Sequence, residues 1–400
     1  MKVALVSEWL DAWRGGAETS ALQFLHHLVD AGADVHVFTR SRPASAPGLT
    51  VHTVSGASLS RTRRSVTFAH RVERLLRGES FDIVHGITAC RGLDLYEPRG
   101  GTVAETIERN LALRSSPTAR SLKRYANRFN LKQRYTLRLE RALLRDPSGP
   151  TVVALSDYVV EQLRRHYALP DGRIRKVFNG VDPDPTTPAE RARHREEIRL
   201  EYNVPADATL VLCVAHNFRL KGVACWMEAL AALRDRGVDD VRSLVLGRDD
   251  SVRWRRLADR LSLNSRLTFV GPTDRVGEFY HAADVLVHPT YYDPCSRVVL
   301  EAMSSGLACI TTRWDGAAEL VSDGCSGFVL VEPTDVGRLA DCVQKLRDPA
   351  VRKAMGDAAR VSAQRASMAQ HAQELLGVYE DVVHRGRLAT DGRSRLMKSV

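Results

Sequence analysis

HPTYYDPCSRVVLEAMSSGLACITT, residues His288 to Thr312, reads as one strand–helix–strand step of a parallel sheet. The apolar run Val285–His288 ends as a buried strand. A loop then delivers Asp293 to the mouth of a helix over Val298–Ser305, and Ala308–Thr311 opens the next strand. Glu301 follows Asp293 by eight residues, about two turns into the helix. The first amides of a helix lack partners within it, so the N–H groups of Cys295, Ser296 and Arg297 are expected to be open to a phosphate. A carboxylate at each end of such a site can accept hydrogen bonds from the hydroxyls of a sugar and of a ribose. The plainer reading is two ordinary helix carboxylates, with Asp293 as an N-terminal cap.

The same alternation runs outward in both directions. In the second half, strands at Thr209–Ala215, Ser243–Gly247, Leu267–Val270, Val285–His288, Ala308–Thr311 and Phe328–Val331 are spaced by helices at Val223–Arg236, Val252–Leu261 and Val276–Ala283. Further helices run from Asp335 to Arg347 and on to about Arg385. In the first half the strands are Lys2–Ser7, Asp34–Thr39, Thr50–Val54, Phe81–His85, a weak one near Gly101–Ala104, Thr151–Leu155 and Ile174–Phe178. The first helix, Ala17 to about Ala31, carries Leu22, Leu25, Leu28 and Val29 on one face. This is the α/β pattern of doubly wound sheets. Between the halves, NGVDPDPTTP (Asn179–Pro188) cannot continue a helix or a ladder and is read as a linker. The Asp182-x-Asp184 pair within it is read as linker, not metal site. The expected domains are 1–182 and 183–370, with 371–400 a helix returning to the first domain and a frayed basic tail. Ligands of open α/β sheets bind at the carboxyl ends of the strands, which two such domains would turn into a cleft.

Two further segments fall at expected strand ends. HNFRLKG (His216–Gly222) follows the first strand of the second domain, so Arg219 and Lys221 stand where two cations can neutralise a diphosphate leaving group. The first strand of the chain leads into Arg14-Gly15-Gly16 before a helix, where glycine lets the backbone approach a ligand. This is not G-x-G-x-x-G, and no acidic residue follows at the dinucleotide spacing.

Composition narrows the classes. The 400 residues carry a formal net charge of +10, which favours anionic partners. Seven scattered cysteines form no C-x-x-C pair, which argues against a disulfide framework or structural zinc. The opening MKVALVSEWL reads as a first buried strand and not as a signal segment, and no stretch approaches a membrane span. From Arg109 to Arg145 the chain is basic with aromatic interleaving, and Glu140 is the exception. A helix carrying Arg124, Arg128 and Lys132 beside Tyr125 and Phe129 can lie on an anionic bilayer or grip a phosphorylated acceptor. The alternative is a solvated face whose Leu131, Leu137, Leu139 and Leu143 pack inward. No nucleic-acid module accompanies the charge.

The segments together resemble the retaining glycosyltransferases of family 4, with the GT-B fold, over Met1 to about Arg385. The carboxylate–seven residues–carboxylate motif stands as Asp293 to Glu301, the Gly-Gly loop as Gly15–Gly16 and the basic motif as Lys221-Gly222. RGLDLYEP (Arg91–Pro98), GGTVAET (Gly100–Thr106), LKQRYTLRLERALL (Leu131–Leu144) and ALSDYVVEQLRRHY (Ala154–Tyr167) are similar to segments of lipopolysaccharide core glucosyltransferases. The resemblance implies an acceptor-binding first domain and a nucleotide-sugar-binding second domain. It implies that Lys221, with Arg219, stabilises the departing diphosphate, that Asp293 contacts the transferred sugar and that Glu301 holds the ribose. Ser296 and Arg297 would face phosphate or sugar through their backbones, and Gly16 would approach the diphosphate. It implies no metal or other cofactor, a UDP-glucose-like donor, a glycan or lipid-linked acceptor, and a cytoplasmic enzyme peripheral to the membrane. Departures are Asp293 in place of Glu, Ser296 where Gly is usual, Arg297 where an apolar residue is usual, and no histidine in YEPRGGTVAE, although Arg99 and His85 lie near. A nucleotide-sugar epimerase and a catalytically decayed binder share the same pattern.

Overall fold

Runs of Val, Leu and Ile too apolar to face water on either side become the central strands of two wholly parallel sheets. The computed structural model describes residues 1–11, 15–41, 48–54, 61–114, 116–249 and 251–397. It divides into two units: Met1–Gly180 with Met368–Val400, and Val181–Ser367.

The first unit contains β1 (Lys2–Val6), α1 (Gly16–Asp30), β2 (Asp34–Thr39), β3 (Leu49–Thr53), α2 (Arg61–Leu76), β4 (Ile83–Gly86), β5 (Leu95–Tyr96), α3 (Val103–Ala112), α4 (Pro117–Asn127), α5 (Leu131–Arg145), β6 (Thr151–Ala154), α6 (Asp157–Tyr167) and β7 (Ile174–Lys176). Its sheet has the order β3-β2-β1-β4-β5-β6-β7. The α1 helix buries Ala21, Phe24, Leu25 and Leu28 and leaves Leu22 and Val29 only partly covered. The weak strand expected near Gly101–Ala104 is instead the start of α3. Thr102 caps that helix by accepting from the Glu105 amide, and the missing strand is the two-residue β5. Glycine at 100 and 101 followed by Thr and Val looks extended, but Thr-x-x-Glu is a helix-start pattern and it prevails.

The second unit contains α7 (Pro188–Glu201), β8 (Thr209–Val214), α8 (Val223–Asp235), β9 (Val241–Leu246), α9 (Ser251–Arg260), β10 (Leu267–Gly271), α10 (Val276–Ala282), β11 (Val285–Val287), α11 (Arg297–Ser304), β12 (Ala308–Thr312), β13 (Gly327–Leu330), α12 (Val336–Lys345) and α13 (Pro349–Ala363). Its sheet runs β10-β9-β8-β11-β12-β13. Strand order reverses between β8 and β11, so the loops after these strands share one crevice position. Trp226 of α8 fills the core and donates from Nε1 to Ser243 Oγ at 2.8 Å, which satisfies its one polar atom.

The Asn179–Pro188 stretch carries the crossing between units at Gly180–Val181 and ends in a capping box at Thr187 and Glu190 that starts α7, a helix the prolines had obscured. Asp184 is engaged by Arg191 (3.0 Å) and His281 (2.9 Å). The chain returns to the first unit at Met368 as α14 (Met368–Met397), so the tail expected to fray is helical up to Met397. The seven cysteines are all free thiols.

Candidate active site

The residues singled out in the second half converge on the β8–α8 and β11–α11 loops. Two backbone features hold these loops together. The Tyr291 amide donates to Leu220 O at 2.9 Å, and Gly222 packs against Pro289 so tightly that a Cβ there would lie 1.9 Å from the Pro289 carbonyl oxygen. Gly222 also has φ +69°, the left-handed region, as the N-cap of α8. The glycine after Lys221 is thus required both by conformation and by space, and it sets where the lysine emerges.

Lys221 reaches across to the other loop. Its Nζ donates to Tyr292 O at 3.1 Å and to Asp293 Oδ2 at 2.5 Å. His288, buried at the end of β11, places Nε2 3.5 Å from the same carboxylate oxygen. Burial works against the charge on Asp293, but Lys221 and His288 outweigh it and hold the carboxyl well below its ordinary range. Asp293 is therefore an anion presenting a cation, not a helix cap. Arg219 stands close enough to the Tyr291 phenol for its charge to act there. Burial, then Arg248 and Lys221, push His216 down towards the neutral imidazole. Arg248, beyond the end of β9, is a cation of this site that sequence reading missed; its signal was its place after Gly247 at a strand end.

The amides at the start of α11 are not open in the way expected. Cys295 N–H donates to Asp293 Oδ1 at 3.3 Å, and Ser296 N–H donates to Asp315 Oδ1 at 3.0 Å. Asp315 also accepts from Ser296 Oγ (2.5 Å), Thr311 Oγ1 (2.8 Å) and Ala317 N–H (2.9 Å). Burial and the charge of Asp293 push its carboxyl upward. An internal carboxylate thus occupies part of the position assigned to phosphate. Asp315 sits in the turn after β12, and Asp293 N–H bonds to Trp314 O (2.8 Å) while Gly316 N–H bonds to Asp293 O (2.9 Å). The Asp315-Gly316 pair was the only sequence signal, and it marked a turn.

Glu301 is half-buried on α11. Tyr280 OH donates to its Oε2 at 3.0 Å and Arg297 Nη2 to its Oε1 at 3.1 Å. A carboxylate has about four acceptor positions, so two remain for hydroxyl donors. Arg297, although buried, pairs its side chain with Glu301.

The other sequence-derived residues belong to the first unit. Gly15 is the N-cap of α1 and Gly16 its first helical residue; Arg14 lies outside the described residues. His85 and Arg99 are buried around Glu97. Arg99 Nε donates to Glu97 at 3.0 Å and Nη1 to Ser20 Oγ at 2.6 Å, while His85 Nδ1 meets Tyr379 OH at 2.7 Å. Both therefore tie α1, the β5 end and α14 together within that unit. The basic stretch is not one helix: it takes in the end of α3 and the whole of α4 and α5. Leu139 and Leu143 pack inward, but Leu131 does not, being 66% exposed. Arg124, Arg128 and Lys132 are exposed and form no ion pair among the described residues. Among the described residues of this unit, two sets of side chains come close enough to share an ion, His36–His52–Glu79 and Glu105–Glu108–His166. Each already holds a cation, Lys2 on Glu79 and Arg165 on Glu105.

Comparison with known proteins places this geometry. Residues 208–348 match the model of glycosyl transferases group 1, and residues 14–185 match that of glycosyltransferase family 4. The lipopolysaccharide glucosyltransferase WaaG of Escherichia coli (strain K12) is 26% identical over 348 residues, 86% of this chain and 90% of its own. A D-inositol 3-phosphate glycosyltransferase of Pseudarthrobacter chlorophenolicus is 25% identical over 402 residues, 93% of this chain and 91% of its own. The crystal structure of WaaG matches with a TM-score of 0.80 at 24% identity, covering 94% of this chain and 99% of that one. Anabaena HepE in complex with UDP-glucose matches with a TM-score of 0.71 at 17% identity, covering 95% and 100%. The chain is a glycosyltransferase with a family 4 domain over residues 14–185 and a group 1 domain over residues 208–348, and it has the GT-B fold. It is similar to lipopolysaccharide glucosyltransferases and to inositol-phosphate glycosyltransferases in sequence.

Proposed function

We propose that the chain transfers a hexose, glucose first among candidates, from a UDP-sugar to a glycan or lipid-linked acceptor such as lipopolysaccharide core. Transfer retains the anomeric configuration and uses no bound metal. The observation that carries the reading is the Lys221–Asp293 pair at the β8/β11 reversal, with Glu301 on the helix that follows. Lys221 is held in place before donor arrives. A diphosphate competes with Asp293 for the ammonium, and the cation gains most when the bond to the sugar breaks and charge grows on the leaving phosphate. Arg219 and Arg248 add to the same positive field. Asp293, partly released, accepts from a hydroxyl of the transferred sugar, and the free acceptor positions of Glu301 take the ribose hydroxyls. The leaving phosphate oxygen lies on the face the acceptor attacks and takes the proton of the acceptor hydroxyl.

The relatives support donor and acceptor class: one is named a lipopolysaccharide glucosyltransferase, and a similar structure holds UDP-glucose. The α4–α5 face is read as a contact with the anionic inner surface of the cytoplasmic membrane, where a lipid-linked acceptor is met; no nucleic acid is involved. No described helix is long and apolar enough to cross a membrane. The test is a nucleotide-sugar panel with and without acceptor glycolipid, read by mass spectrometry. Transfer of hexose to acceptor supports the reading. Epimerised donor formed without acceptor would replace it with the epimerase reading.

A further inference from the structure

One face of the first sheet brings two imidazoles together at its edge. The ladder sets Phe38 of β2 opposite His52 of β3, and His36 lies two residues before Phe38 on the same face. His52 stacks on Phe38 with 4.4 Å between ring centroids and 7° between planes, and His36 turns Nδ1 to His52 Nε2 at 2.9 Å. Glu79, in the segment after α2, brings Oε1 to 3.8 Å from His36 Nδ1. Among the described residues, one ligand atom from each of the three lies within 4.8 Å of the other two. Two neutral ring nitrogens this close share one proton, and a cation can take the place of that proton. A fourth group, Asp34, sets Oδ1 3.3 Å from His36 Nε2, the far nitrogen of the ring. A carboxylate there keeps the proton on Nε2 and leaves the Nδ1 lone pair for a ligand.

We infer that His36, His52 and Glu79 bind one zinc-class divalent cation, which pins β3 to β2 and to the segment after α2, with Asp34 behind His36 as the partner that orients it. Two imidazoles and one carboxylate are a donor set that zinc takes, with water in the fourth position. In a tetrahedral site such donors stand about 3.3 Å apart, and the spacings of 2.9 and 3.8 Å straddle that value. The need for a staple lies in β3. It pairs with β2 alone among the described strands and buries none of its residues, so little apolar packing holds it. Lys2 is the rival for Glu79. Its Nζ donates to Oε1 at 2.6 Å, and its side chain is 33% exposed, so it can turn to water when a doubly charged ion arrives. The other candidate set, Glu105–Glu108–His166, is closed by Arg165, whose Nη2 bonds both glutamates. The inferred site lies beside Lys2 at the amino end of β1, whereas Gly15 follows the carboxyl end. The ion therefore serves the edge strand and not the donor loops.

Calorimetric titration of the full chain, stripped with a chelator, with zinc chloride tests it. One saturable site is expected. Asp34→Asn should weaken it about tenfold, as loss of an outer partner of a ligand does, and His52→Gln and Glu79→Gln, which remove ligands, by more than that. Lys2→Gln removes the rival and should tighten binding about fivefold, the worth of a unit charge at contact distance in water. Glu108→Gln, in the other set, should leave it unchanged. Zinc should also raise the thermal midpoint of the parent chain and not that of His52→Gln. Glu79→Gln serves alone if His52→Gln does not fold by circular dichroism. Absence of saturable binding overturns the site, as does zinc binding that keeps its parental strength in both ligand variants or is lost in Glu108→Gln. A Lys2→Gln chain that binds zinc no more tightly than the parent overturns Glu79 as a ligand, and with it the three-donor site.

Discussion

At Lys221, position and charge do separate work. The side chain bonds Asp293 across two loops, and Gly222 beside it lets those loops touch. Lys221→Ala is expected to cut transfer about 10²- to 10³-fold, mostly in kcat, as removal of a preorganised charge from a leaving group does. The variant also removes the ammonium that favours the Asp293 anion, so the Asp293 carboxyl should move up towards its ordinary range, visible by carbon-detected NMR. Turnover unchanged within twofold error would remove the proposed role. Gly222→Ala fails differently. A Cβ 1.9 Å from Pro289 O, in a left-handed conformation, is expected to cost on the order of 1–3 kcal/mol and to lower the thermal midpoint of the second unit. A midpoint equal to that of the parent chain would mean the two loops part freely.

Among the elements, helix starts decide more than strands. The α3 helix begins at Thr102, whose Oγ1 accepts from Glu105 N–H and donates to Gln162 Oε1 at 3.1 Å. Thr102→Ala should therefore destabilise the first unit by about 1 kcal/mol, seen in urea unfolding at unchanged slope. The α11 start is held by Asp315 instead of by a cap of its own, since Ser296 makes no side-chain cap bond. That arrangement engages the Ser296 amide within the chain, and in the proposed reaction the diphosphate is met by the cations of the β8–α8 loop. On α4 and α5, replacing Arg124, Arg128 and Lys132 together by Gln should weaken binding to anionic vesicles and flatten its salt dependence, with donor affinity unchanged. Vesicle binding equal to the parent would refute the membrane face.

At the scale of the whole chain, the return of α14 to the first unit rests on a buried charged cluster. His371 Nδ1 bonds Phe178 O at 2.8 Å, its Nε2 meets Arg99 Nη2 at 3.2 Å, and Tyr379 meets His85. Burial, then the charge of Arg99, pushes His371 down to about 4 from an ordinary 6.5. Burial opposes charge on Glu97, but Arg99 and His85 hold it to about 2, against an ordinary 4.5. Both folded values lie below the unfolded ones, so the unfolded chain binds more protons in each window. The His371 contribution is complete above 6.5 and is lost as pH falls towards 4; that of Glu97 is complete above 4.5 and is lost towards 2. Stability by chemical denaturation should therefore fall between pH 6.5 and 4. His371→Gln should flatten that part of the profile and leave the lower step. A parent profile flat from neutrality to pH 4 would contradict the cluster's neutral histidine.

By itself the sequence determined what local pattern can determine. Alternating apolar runs and amphipathic helices specify two parallel sheets, because a strand buried on both faces must be apolar throughout. Asp293, Arg219 and Lys221 could be singled out because each follows a strand end, where such sheets expose their loops, and Glu301 because it stands on the helix that Asp293 precedes. Tertiary structure decided what those residues meet. Asp315 enters the site from a turn after a neighbouring strand, Arg248 from another, and His371 and Tyr379 reach the first unit from the far end of the chain. Nothing local marks such partners, since a buried charge is matched across the fold by whichever element packs beside it. The same reason hid α3: a cap that also answers Gln162, 60 residues away, gains more from the packed sheet than its two β-branched residues gain from an extended chain.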